Sequence, residues 1–325
     1  MRRRDLITLL GATAAWPFAA RAQQPGVPVI GFLLGASPEV LRVPIGGFRR
    51  GLSEHGFVED RNVAVEYRFA EGRFDRMPPL AADLVGRRVA ILVASNNAGA
   101  LAAKQATTTI PIVFSIGGDP VNLGLVTSLD RPGGNMTGVY QLTGGLEAKR
   151  LGLLHEMVPK ASSMAALFNP DYPGAEIQAR DVREAAMRLG VQLLVLTANA
   201  ESDLDEAFAT LAQHRSSALL VGASPFFFSL RDRLVALAAR HAVPAMYEWR
   251  EFTAGGGLVS YGTSLADAYR QAGVYAGRIL KGDKPGDLPV VQSTKFEFVI
   301  NLKVARALGL SIPSGVLSIV DEVIE

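Results

Sequence analysis

The sequence predicts an α/β protein of two doubly wound lobes, and three observations lead there. Short apolar runs alternate with amphipathic helical windows in a steady rhythm. That rhythm occurs twice, from about residue 27 to 138 and from about 144 to 257, with the Gly/Pro-rich stretch Arg131-Pro132-Gly133-Gly134-Asn135-Met136-Thr137-Gly138 between the blocks. The length of 325 residues, with 49% hydrophobic and 20% charged residues, suits two cores of roughly 150 residues each.

Taken in order, the runs at 27–34, 63–69, 89–95 and 110–116 read as strands of the first block, being rich in Val, Ile and Phe and bounded by Gly, Pro or polar residues. The runs at 164–168, 191–196, 218–222 and 244–247 read the same way in the second. Helical windows lie between them at 48–55, 80–85, 98–106, 146–157, 175–189, 204–212 and 231–241. His55-Gly56 and Leu189-Gly190 each place glycine where a helix ends in the left-handed conformation. Strands that are apolar on both faces and separated by helices of this length form βαβ units around a parallel sheet. After Gly255-Gly256-Gly257 come a short strand at 258–261 and a helix at 265–280. Two such lobes enclose a cleft, and the carboxyl ends of their strands face it.

The amino terminus stands outside this pattern. Met1-Arg2-Arg3-Arg4-Asp5, a mostly apolar stretch to Ala20, and Ala20-Arg21-Ala22 form the three regions of a secretory leader, with cleavage expected after Ala22. Arg3-Arg4-Asp5-Leu6-Ile7 also resembles a twin-arginine signal, so both export routes stay open. The apolar stretch is too short to span a bilayer, and no membrane span is expected in the mature chain. The formal charge of +2 belongs to the precursor. Four Arg and one Asp lie in residues 1–22, leaving 29 basic and 30 acidic residues and a mature charge of −1. A near-neutral chain gives no reason to expect a nucleic-acid partner. With no cysteine, the sequence excludes disulfides, thiolate metal sites, cysteine nucleophiles and a lipid-modified cysteine.

The strand ends supply the candidate site. In the first block the turns are Gly35-Ala36-Ser37, Ser95-Asn96-Asn97-Ala98-Gly99 and Ser115-Ile116-Gly117-Gly118-Asp119-Pro120. Each is read as leading into a helical stretch, where free N–H groups and small polar side chains suit a carboxylate. The competing role for Ser95, Asn96 and Asp119 is helix capping alone. In the second block the turns are Asn169-Pro170-Asp171-Tyr172-Pro173, Ala223-Ser224-Pro225-Phe226 and Tyr247-Glu248-Trp249-Arg250. Their carboxylates and aromatic rings suit an ammonium and an apolar ligand body. Phe227 and Phe228 are expected in the core. Trp249, the sole tryptophan after the leader, either lines the cleft or packs within the lobe.

Enzymatic signatures are absent: there is no G-x-G-x-x-G, no P-loop, no G-x-S-x-G and no H-E-x-x-H. His55, His155, His214 and His241 fall in or at the ends of helical windows, away from the strand ends. Asp171 with Glu248 is the one pair that a glycosidase reading could use, and nothing in the spacing demands it. The expectation is a protein that is not an enzyme and needs no cofactor or metal.

A further set of strings runs through nearly the whole mature chain. Ala98-Gly99-Ala100-Leu101-Ala102-Ala103-Lys104-Gln105-Ala106-Thr107, Ile110-Pro111-Ile112-Val113-Phe114, Gly118-Asp119-Pro120-Val121 and Gly124-Leu125-Val126 precede the inter-block segment. Lys149-Arg150-Leu151, Arg250-Glu251-Phe252, Gly255-Gly256-Gly257-Leu258-Val259-Ser260-Tyr261-Gly262, Ile279-Leu280-Lys281-Gly282 and Thr294-Lys295-Phe296-Glu297-Phe298-Val299-Ile300-Asn301-Leu302-Lys303 follow it. As an ordered set they resemble the ABC transporter substrate-binding proteins of the tryptophan/tyrosine-binding-like group. The resemblance implies a periplasmic-binding-protein type I fold, with two Rossmann-like lobes and a hinge of crossing strands. Residues 1–22 are then the leader; 23–140 form the amino-terminal lobe, completed by about 262–290; and 141–261 form the carboxy-terminal lobe, completed by about 291–325.

It also implies a monomeric periplasmic solute-binding component of an ABC importer, delivering a small carboxylate-bearing ligand, an amino acid or aromatic acid, to a permease with a cytoplasmic ATPase. Presentation of the solute to a membrane receptor or kinase is the alternative. Carried over by position, Ser37, Ser95, Asn96, Ser115 and Gly117 serve the carboxylate, and Asn169, Asp171, Ser224 and Glu248 face the other end. Tyr140 and Trp249 complete the expected binding set.

Overall fold

The computed structural model describes residues 26–141, 145–172 and 174–325, so the expected leader lies outside the described residues. The first stretch runs β1 (Val29–Leu34), α1 (Arg42–Glu54), β2 (Ala64–Phe69), α2 (Met77–Gly86), β3 (Ile91–Ser95), α3 (Asn96–Ala106), β4 (Ile112–Ile116) and β5 (Met136–Gln141). The second runs α4 (Glu147–Met157), β6 (Ser163–Phe168), α5 (Ala175–Leu189), β7 (Gln192–Thr197), α6 (Asp203–Gln213), β8 (Leu219–Val221), α7 (Pro225–Ser229), α8 (Arg231–Arg240), β9 (Ala245–Tyr247), α9 (Arg250–Ala254) and β10 (Val259–Thr263). The chain ends α10 (Leu265–Leu280), β11 (Val291–Ser293), β12 (Phe296–Asn301), α11 (Leu302–Ala307), α12 (Ser314–Leu317) and β13 (Glu322–Ile324).

Two sheets result. One has the order β11-β5-β4-β3-β1-β2 and the other β13-β12-β10-β9-β8-β6-β7. Every pairing is parallel except β10 with β12. The chain therefore passes between lobes after β5, after β10 and after β11. The last two passages are tied together, the Ser264 N–H donating to the Lys295 carbonyl at 2.9 Å. β11 pairs with β5, so residues 291–293 lie in the first sheet, and the return to the second begins at β12.

The sequence-based reading treats 131–138 as a linker, yet Met136–Gln141 is an interior strand. Its glycine is the reason on both counts. Gly138 sits opposite Phe114 of β4, and a Cβ there would lie 2.7 Å from the Phe114 ring. The strand thus needs a residue that ordinarily signals a turn. Glycine also brings α10 onto α1: a Cβ on Gly51 would overlap the Arg270 carbonyl, and one on Gly273 the Phe48 carbonyl. Gly56 and Gly190 end α1 and α5 with φ of 83° and 70°, as their sequence positions indicate.

The lobes are in contact. Arg231 Nη1 donates to the Val40 carbonyl at 3.2 Å, and Leu265 and Tyr269 of α10 share one apolar cluster with Phe228 and Trp249.

Candidate functional site

Between the two sets of strand ends lies a cavity of about 470 Å³, within the usual range for a small-molecule site. From the first lobe it is lined by Gly35, Ala36, Ser95, Asn96, Asn97, Ser115, Ile116, Gly117 and Gln141, and α10 adds Leu265 and Tyr269. From the second it is lined by Asn169, Asp171, Tyr172, Ser224, Phe226, Phe228, Glu248 and Trp249. Among the described residues no Lys, Arg or His lines it.

One of the three first-lobe turns leads directly into a helix. α3 starts at Asn96, immediately after β3. Asn96 takes a left-handed φ of 60°, and its Oδ1 accepts the Gly99 N–H at 2.9 Å, capping the helix. Its amide lies over Gly35, where a Cβ would overlap it. Ser95 Oγ accepts the Gly35 N–H at 3.1 Å, and Asn97 Oδ1 accepts the Gly118 N–H at 3.1 Å, so the junction of β3 and α3 fixes the loops after β1 and β4. The cap reading of Asn96 is therefore correct without excluding a ligand role. Among the described residues, both Asn Nδ2 groups and the first-turn N–H groups of α3 other than that of Gly99 remain as donors.

The other two turns differ from the sequence-based reading. α1 begins at Arg42, five residues beyond Ser37, and the Ser37 carbonyl accepts the Leu41 N–H instead of opening a helix. After β4 the chain makes turns, in which Asp119 Oδ1 accepts the N–H groups of Val121 and Asn122 at 2.8 and 3.0 Å. Ser37 and Asp119 are not among the lining residues. Nor is Tyr140, which packs against the first-lobe core. Ser95, Asn96, Ser115, Gly117, Asn169, Asp171, Ser224, Glu248 and Trp249 are brought together.

The opposite wall has a different chemistry. Ser224 caps α7, its Oγ accepting the Phe226 N–H at 3.2 Å, and Asn169 Oδ1 accepts the Asp171 N–H at 2.9 Å. Phe227 is core, whereas Phe228 is both core and lining, meeting Trp249 edge to face with ring centroids 4.9 Å apart. Trp249 thus does both things open to it from sequence: it is 7% exposed and lines the cavity. Its Nε1 is buried with no hydrogen-bond partner among the described residues.

Glu248 is the most unusual group. It is 3% exposed, both carboxyl oxygens lack a hydrogen bond among the described residues, and β10 packs so closely that a Cβ on Gly262 would overlap its carbonyl oxygen and lie 3.2 Å from its Cγ. Behind it, Arg150 is wholly buried, its Nε donating to the Tyr261 carbonyl at 2.7 Å and its Nη1 to Glu147 Oε1 at 3.3 Å. Arg150 Nη2 comes no closer than 3.8 Å to Glu248 Oε1. Burial pushes the Glu248 carboxyl up to about 8; Arg150 opposes that shift and Glu147 adds to it.

Sequence reasoning missed Asn97, Gln141 and Tyr269 as lining residues, and the Glu147–Arg150 pair behind the wall. The strand-end rule cannot reach Tyr269, which arrives on a helix after the second lobe crossing. Glu147 and Arg150 did leave a signal, falling three apart on the same buried face of α4 as Leu151 and Leu154.

The described residues hold no group of three or more His, Asp or Glu set for a metal, and no helix among them is long and apolar enough to cross a membrane.

Residues 29–324 match the family of ABC transporter substrate binding proteins. The chain belongs to this family. As such it is a solute-binding component of an ABC transporter, not an enzyme. It is 25% identical over 264 residues to a tyrosine-binding protein of Clostridioides difficile, covering 81% of this chain and 76% of that one. An ABC domain from Streptococcus pneumonia solved in complex with L-Trp superimposes with a TM-score of 0.80 at 25% identity, over 91% of this chain and 99% of that one. A conserved domain protein from Vibrio cholerae gives 0.81 at 26% identity, with the same coverage. The substrate-binding protein thus has the two-lobed periplasmic-binding-protein fold expected from its sequence.

Proposed function

We propose that this substrate-binding protein is exported by its amino-terminal leader and captures a small solute bearing a carboxylate, an ammonium and an apolar or aromatic body for an ABC importer. The observation that carries the reading is the polarity of the cavity. One wall offers hydrogen-bond donors at the start of α3, and the other offers Glu248, Asp171 and aromatic faces, with no cationic side chain among the described lining residues. A carboxylate without an ammonium would bring a negative charge to a cavity that already holds two carboxyl side chains. A zwitterion matches both walls.

The relatives support this class, one being named for binding tyrosine and another being solved with L-Trp. The three crossing segments act as the hinge, and closure brings both walls onto one ligand. A ligand shifts the open–closed balance only by its preference for the closed state. The closed monomer then delivers its solute to the permease and its cytoplasmic ATPase.

The test is thermal shift and calorimetry with L-tryptophan, L-tyrosine and their analogues lacking either the amine or the carboxylate. The reading expects one-to-one binding of a complete amino acid and at least tenfold weaker binding of each truncated analogue. Equal affinity for the analogue without the amine would refute it.

A further inference from the structure

The charges behind the cavity wall do not balance. Glu147, Arg150 and Glu248 are all essentially solvent-free, at 0%, 0% and 3% exposure, and comprise two acids and one base. Arg150 donates to the Tyr261 carbonyl and to Glu147, which leaves its Nη2 without a hydrogen bond among the described residues and 3.8 Å from Glu248 Oε1, a long ion pair shared with the nearer Glu147. Neither Glu248 oxygen receives a hydrogen bond from the described residues, although the side chain lines the cavity. A buried carboxylate in that state is costly, so the site needs either a proton on Glu248 or a cation against it.

Beyond Arg150, which two acids share, the surrounding elements supply no further cation to Glu248. On α4, Lys149 is turned to the Tyr261 hydroxyl, its Nζ 2.8 Å away. On α9, Arg250 is held by Glu322 of β13 at 2.7 and 2.6 Å, and Glu251 adds another buried acid. The loop after β6 adds Asp171, β10 presents backbone at Tyr261 and Gly262, and α10 contributes the neutral Tyr269. Asp181 of α5 and Glu297 of β12 act on Glu147 and Glu251 respectively, and both are acidic.

We propose that Glu248 is a proton–cation exchange site: the Glu147–Arg150–Glu248 cluster holds a proton on Glu248 in the empty cavity and surrenders it to solvent when an organic ammonium group binds there. This rests on the cavity being the solute site. The balance is simple: the O–H bond of the neutral carboxyl breaks, the carboxylate pairs with the ammonium, and one proton leaves. Solute capture is thereby linked to pH, and acidification favours release. The upward shift of the Glu248 carboxyl to about 8 places the exchange in the neutral to alkaline range.

The first arm of the test needs no ligand. In the processed protein Trp249 is the sole tryptophan and adjoins Glu248, so its fluorescence is followed against pH. A transition near 8 is expected in the wild type, absent from Glu248→Gln and retained in Glu251→Gln. The second arm is calorimetry with L-tryptophan in buffers of different ionisation enthalpy. About one proton is released per ligand well below the transition, and affinity falls about tenfold for each pH unit lowered there. This arm uses wild-type protein and holds even if Glu248→Gln does not fold.

Binding without proton release, or a transition that survives in Glu248→Gln, would overturn the exchange. If neither L-tryptophan nor L-tyrosine binds while the transition is assigned to Glu248, the amino-acid reading of the ligand fails and the protonated Glu248 stands. If the transition is absent from the wild type, the exchange fails whatever binds.

Discussion

Replacing Arg150 by Met should destabilise the protein in a strongly pH-dependent way. The substitution keeps much of the side-chain volume but removes the one cation between Glu147 and Glu248, together with the bond to the Tyr261 carbonyl. Removing one partner of a buried charge cluster costs about 3–5 kcal/mol when the remaining charges must stay ionised. At about 2–4 °C per kcal/mol for a domain of this size, that is a fall in Tm of roughly 6–20 °C.

The acids can escape part of the cost by protonation. Both carboxyls already lie above their ordinary range because of burial, with Arg150 acting to lower each. Without Arg150 they rise further. The folded state then binds more protons than the unfolded state between the two sets of values, so stability falls as pH rises. Melting curves by circular dichroism should show a loss at about pH 8.5 at least twice that at about pH 5.5, where the lost hydrogen bond dominates. A loss of the same size at both pH values, or a larger one in acid, would refute the reasoning.

Three further outcomes are expected. Gly51→Ala drives a Cβ into the Arg270 carbonyl and should cost about 1–3 kcal/mol or more in chemical denaturation. Gly46→Ala on the same helix, with nothing within 4 Å of its Cβ, should gain up to about 1 kcal/mol from helix propensity. Asn96→Gly keeps the left-handed backbone but loses the cap on Gly99, so stability should drop by only about a few tenths of a kcal/mol, while calorimetry shows affinity for a carboxylate-bearing ligand falling at least tenfold.

The sheets were largely legible because parallel strands buried on both faces leave unbroken apolar runs, as in Ile91–Ser95 and Ile112–Ile116. Met136–Gln141 was not, since its central glycine serves packing against Phe114 and gives a turn signal in sequence. Strand-end reasoning located Ser95, Asn96, Ser224 and Glu248 because the C-terminal ends of both sheets face one cavity. It misplaced Ser37 by assuming that every strand leads straight into a helix, whereas α1 starts only at Arg42. Tyr269 and the Arg150 cluster reach the site through tertiary packing across the lobes or behind the wall. The spacing of Glu147 and Arg150 marks a buried face of α4, but nothing along the chain says which wall that face or Tyr269 meets.

The account rests on the cavity holding one small zwitterionic solute. Native mass spectrometry of freshly purified, exported protein, followed by identification of what denaturation releases, tests this most directly. The expected result is a single molecule bound one to one, carrying both an amine and a carboxylate, and lost in Glu248→Gln. Release of an anionic or uncharged solute, with occupancy unchanged in Glu248→Gln, would contradict it.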